Sequence, residues 1–118
     1  MTPTDPVFLA FLQAQRADYW RSLPQRLAQI ESLWCQVLNG EAPAEALASL
    51  ERCAHRLAGS GGTFGFPALG DAARVLELAV NPLLDAAQAL TPATLSEVSR
   101  AVEALQLSLS GETGIQGI

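Results

Sequence analysis

Apolar residues recur at steps of three and four along most of the chain. The clearest run is Leu23, Leu27, Ile30, Trp34 and Val37, the spacing of a helix that buries one face. Upstream, Asp5-Pro6 reads as a capping side chain with proline at the first helical position. The segment from there through Trp20 is rich in helix formers, with Val7, Phe8, Phe11, Leu12 and Tyr19 on one side. Pro24 is expected to bend or restart this helix, and Asn39-Gly40 to stop it. A second stripe follows Pro43, at Leu47, Leu50, Ala54, Leu57, Gly61 and Phe64, and ends at Gly65, which suits the left-handed position beyond a helix. Phe66-Pro67 opens a third, with Phe66, Leu69, Ala73, Leu76 and Val80 inward, until Asn81-Pro82 interrupts. Thr91-Pro92 caps a fourth, carrying Leu95, Val98, Val102, Leu105 and Leu109.

No segment alternates with period two, so the expected fold is all-α. Four stripes joined by short connections predict an antiparallel up-and-down four-helix bundle, with the segment before Pro24 as an extra or extended N-terminal helix. The bundle domain is assigned to residues 1–110. The tail SGETGIQGI loses the periodicity, and residues 111–118 read as a flexible end or the start of a linker. A monomer is expected, since every apolar stripe is used within one bundle.

Composition narrows this picture. With 49% hydrophobic residues but only 6% aromatic, the core must be built from Leu, Ala and Val. A formal charge of −5 argues against nucleic acid or an anionic membrane surface as the main partner. Cys35 and Cys53 form no C-x-x-C pair and read as buried, reduced thiols, which one histidine could not complete into a zinc site. The N-terminus has no basic leader and only a short apolar run, so neither secretion nor membrane spanning is predicted, and a cytoplasmic location is expected.

The candidate chemistry lies in HRLAGSGGTFGFPALGDAARVLE, residues 55–77, which holds the one histidine of the chain. On the second helix Ala54 belongs to the core stripe, so His55, about 100° further round, faces outward or lies at the boundary. Ala48, Glu51, Arg52, Ala58, Gly59 and Gly62 share its face. Glycine inside a helix costs about 1 kcal/mol relative to alanine, so Gly59, Gly61 and Gly62 need a reason. Gly61, on the core stripe, lets the next helix pack closely; Gly59 and Gly62 clear a landing area beside the imidazole.

His55-Arg56-Leu57-Ala58-Gly59-Ser60-Gly61, with Gly65 ten residues after the histidine, then Leu69, then Leu76-Glu77, resembles the signature of histidine-containing phosphotransfer (HPt) domains of bacterial phosphorelays. The motif spans about 23 residues, and the helical reading extends the resemblance loosely over residues 23–109. One position departs from the pattern: Ala58 stands where the family carries lysine. The resemblance implies a bundle whose exposed His55 takes a phosphoryl group from the aspartyl phosphate of a response-regulator receiver domain and passes it to another receiver. A hybrid sensor kinase is a further implied partner. Magnesium would sit on the receiver, and no cofactor or metal is expected on this chain.

Phosphoryl transfer through a loose transition state needs an in-line nucleophile and positive charge around the phosphoryl oxygens. Neutral imidazole is such a nucleophile, and His55 is assigned that role. No P-loop or kinase motif is present, so autonomous kinase activity is not expected. With lysine missing at Ala58, Arg52 or Arg56, and less directly Arg74, are the candidates to support the phosphate, while Gly59 and Gly62 admit the partner. Leu57, Phe64, Phe66, Leu69 and Leu76 are assigned to the core, Ser60 either to a carbonyl one turn back or to orienting His55, and Glu77 to the helix surface or packing. The alternatives are an HPt-like adaptor that docks a receiver or kinase without being phosphorylated, and a plain helical interaction module.

Overall fold

The computed structural model of the protein describes residues 5–85 and 90–116, the segment 111–116 by its backbone alone. Four α-helices follow one another: α1 Pro6–Leu38, α2 Pro43–Thr63, α3 Pro67–Val80 and α4 Pro92–Gln116, with a 3₁₀ turn at Asn81–Leu84 after α3. The start and stop signals act where the sequence puts them. The Asp5 carboxylate accepts from the Val7 amide at 2.8 Å and the Phe8 amide at 3.4 Å, and the Thr91 hydroxyl accepts from the Thr94 amide at 3.2 Å. At the end of α2, Gly65 takes φ +86° while the Phe66 amide reaches back to the Gly61 carbonyl at 2.7 Å, the closure that a left-handed glycine permits.

The core draws on all four stripes, with Phe64, Leu95 and Leu109 only half-buried at its edge. Leu23, Leu27 and Ile30 of α1, Leu50, Ala54 and Leu57 of α2, Leu69, Ala73 and Leu76 of α3, and Val98 and Leu105 of α4 are all buried. Helix α2 packs most extensively on α3, α3 on α4 and α1 on α2, and α1 closes the ring against α4, which is the antiparallel four-helix bundle expected from the short connections. Three polar contacts tie α1 to its neighbours: the Tyr19 hydroxyl lies 2.6 Å from Ser60 Oγ, Trp34 Nε1 donates to Ser99 Oγ at 3.0 Å, and the Arg16 guanidinium donates to the Gly65 carbonyl at 3.4 Å. No strand occurs among the described residues.

The structure departs from two expectations, the restart of α1 at Pro24 and the burial of the cysteines. Helix α1 continues through Pro24 without restarting; proline removes one backbone N–H bond, and the burial of Leu23, Leu27 and Ile30 around it offsets that single loss. The apolar positions of the first two turns are not all inward: Val7, Phe11 and Leu12 are exposed, and Tyr19 is where α1 enters the core, because a stripe is buried only where a neighbouring helix runs beside it. Cys35 is exposed and Cys53 half-buried, both free thiols. Helix α4 is described to Gln116; residues 117–118 lie outside the described ones. No described helix is long and apolar enough to cross a membrane.

Candidate functional site

Core packing aims the histidine. Ala54 and Leu57 are locked into the interior of α2, which turns the intervening His55 out to solvent with its side chain 71% exposed. On α3, the same rule buries Leu76 and leaves the next residue, Glu77, at the boundary, with its side chain 15% exposed. The two meet: His55 Nδ1 lies 2.6 Å from Glu77 Oε2. A carboxylate only accepts, so the ring proton of this pair is on Nδ1. Among the described residues no side chain is bonded to Nε2, the remaining ring nitrogen.

A shallow cleft of about 350 Å³ surrounds the imidazole, lined by Glu51, Arg52, His55, Arg56 and Glu77. Glu51 precedes His55 by one turn on α2. The Arg52 guanidinium donates to Ser49 Oγ at 3.1 Å. Arg74, on α3, is exposed and does not line the cleft. On the C-terminal side of His55, a Cβ on Gly59 or Gly62 would meet nothing within 4 Å, so this face is open. Ala58 is half-buried against the core. Ser60 donates to the Arg56 carbonyl at 2.8 Å and pairs with Tyr19; it serves the backbone and α1, not the imidazole.

The Hpt domain family model matches residues 16–108. The chain belongs to the Hpt domain family. Comparison with curated proteins and with solved structures returned no match. Family membership gives this Hpt domain a histidine phosphotransfer role in phosphorelays. The match begins at Arg16, so the exposed first turns of α1 precede it.

The sequence reading placed His55, Arg52, Arg56, Gly59 and Gly62 in one region, and the structure brings them together there, while Arg74 stands apart. It missed Glu77 as a partner of the imidazole. The signal was present: α2 and α3 form a helical hairpin turning at Phe66, and His55 and Glu77 lie eleven residues to either side of it. Antiparallel helices of equal rise bring such positions to one level.

Proposed function

We propose that this Hpt domain is a phosphorelay intermediate in which His55 accepts a phosphoryl group from the aspartyl phosphate of a receiver domain and passes it to a second receiver. The observation that carries this reading is the pairing of Nδ1 with Glu77 beside an open, glycine-floored approach. With its proton held on Nδ1, the ring presents the Nε2 lone pair outward. That lone pair attacks phosphorus, the bond from phosphorus to the aspartyl oxygen breaks, and the carboxylate leaves with the electron pair. The phosphorylated ring keeps its Nδ1 proton, and the Glu77 carboxylate offsets the positive charge the ring acquires. Attack by a second receiver's aspartate on the same phosphorus reverses the sequence.

Arg52 and Arg56 line the cleft and take over the electrostatic support that lysine would give at Ala58. The magnesium that such transfer uses belongs to the receiver's acidic pocket. In this reading the chain supplies the nucleophile, its orientation and a cationic rim, and the receiver supplies the rest.

Incubation of the full chain with a phosphorylated receiver tests the proposal. Acid-labile phosphate should appear on the chain and be absent from His55→Gln. Receiver binding without transfer would replace this reading with the adaptor reading.

A further inference from the structure

We infer that Glu51, His55 and Glu77 form a binding site for a divalent ion of the zinc type, and that occupancy shuts the nucleophile off. No metal cluster is legible along the chain, since the three residues come from two helices. In the folded protein one ligand atom from each lies within 4.8 Å of the others. The His55–Glu77 contact is 2.6 Å, against about 3.3 Å between ligands of a tetrahedral ion bound at about 2.0 Å. Side-chain rotation must widen that contact and draw in ligand atoms now spread over as much as 4.8 Å, and the exposed imidazole has room to turn.

The cleft carries both signs, Arg52 and Arg56 beside Glu51 and Glu77, and it is the ligand type that points to a cation. Two carboxylates converge on one imidazole; of the two guanidiniums that line the cleft, Arg52 is bonded to Ser49 and Arg56 follows the histidine directly. Neither Asp18–Arg21 nor His55–Glu77 involves Glu51, which is half-buried in the same cleft. Imidazole nitrogen with carboxylate oxygens suits zinc better than magnesium, which prefers six oxygen ligands. Three protein ligands with solvent on the open side of the cleft leave the fourth position to water.

The consequence follows from the ring. A metal on Nδ1 uses the lone pair of that nitrogen, so the proton of the neutral imidazole moves through solvent to Nε2. Nε2 then has no lone pair with which to attack phosphorus. This regulatory step rests on the transfer reading above; the metal site itself does not.

The test uses the full chain labelled with ¹⁵N, carrying Cys35→Ser to remove the exposed thiol, and zinc chloride alone as the probe. Because His55 is the one histidine, its ring nitrogens are observed without overlap. Stoichiometric zinc should convert the ring from the Nδ1–H to the Nε2–H tautomer. Glu51→Gln and Glu77→Gln should each weaken zinc binding at least about tenfold, by analogy with the loss seen when even outer partners of a metal are removed. A ring unchanged by excess zinc, or Glu51→Gln binding zinc as tightly as its parent, would overturn the site. In a second arm, zinc-loaded chain should accept phosphate from a receiver at least tenfold more slowly, with recovery on adding a zinc-selective chelator; an undiminished rate would overturn the regulation. A chain that accepts no phosphate even without zinc would defeat the transfer reading alone and leave the ring measurement to decide the metal site.

Discussion

Gly61 of α2 and Gly70 of α3 meet backbone to backbone: a Cβ on Gly61 would lie 2.8 Å from the Gly70 nitrogen and 3.0 Å from its Cα. Main chain cannot swing aside as a side chain can, so a methyl group there forces the helices apart. The same two helices carry His55 and Glu77. Gly61→Ala should therefore destabilise the fold by about 1–3 kcal/mol, outweighing a helix-propensity gain of about 1 kcal/mol. Urea denaturation measures this, and a more stable variant would mean that the helices are not held at this distance.

Gly59 and Gly62 should respond in the opposite sense. Nothing lies within 4 Å of a Cβ at either, so alanine should stabilise the isolated domain by up to about 1 kcal/mol at each position. A bulkier Gly59→Leu should leave the fold intact while obstructing the approach to His55, and lower kcat/KM for transfer from a receiver by tenfold or more. Thermal melts and transfer assays on the same samples separate the two effects.

In the proposed transfer Glu77 acts through its contact with His55, as a positioning residue. Glu77→Ala removes both the acceptor for Nδ1–H and the negative charge, and should slow transfer by roughly 10–100-fold, within the range of general acid–base and orienting contributions. Glu77→Gln keeps an acceptor and should retain more activity. Ring ¹⁵N shifts should show the Nδ1–H tautomer depleted in the alanine variant and largely kept in the glutamine variant, a distinction that a purely structural role would not produce.

The cleft arginines are distinguishable from the outlying one. Exposed charges contribute about 1 kcal/mol or less each, so Arg52→Ala with Arg56→Ala should slow transfer by roughly tenfold. Arg74→Ala should change it little, because Arg74 does not line the cleft. Equal losses from all three would point to the overall field of the domain rather than to local support of the phosphate.

Much of this was legible in the chain because it is local. Stripes at three-and-four spacing identify the buried faces, and Leu23, Leu27, Leu50, Ala54, Leu69 and Leu76 are all interior. Capping chemistry at Asp5 and Thr91 and the left-handed Gly65 act within a few residues, so they need no partner helix. The outward rotation of His55 follows from the burial of Ala54 and Leu57. The continuity of α1 through Pro24 was not legible, since the loss of one backbone bond is offset by the burial of Leu23, Leu27 and Ile30 around it.

The amino-acid order thus determined by itself the helices, their inward faces and the exposed position of the one histidine, because periodicity fixes rotation about each helix axis. Tertiary structure alone decided what stands opposite each residue. Helix pairing brought Glu77 to His55, 22 residues away in sequence, completed the Glu51–His55–Glu77 cluster, left Arg74 outside the cleft and exposed Val7, Phe11 and Leu12 where α1 is not covered. These outcomes depend on the level at which antiparallel helices align and on how far each runs beside a neighbour, quantities that no single helix contains.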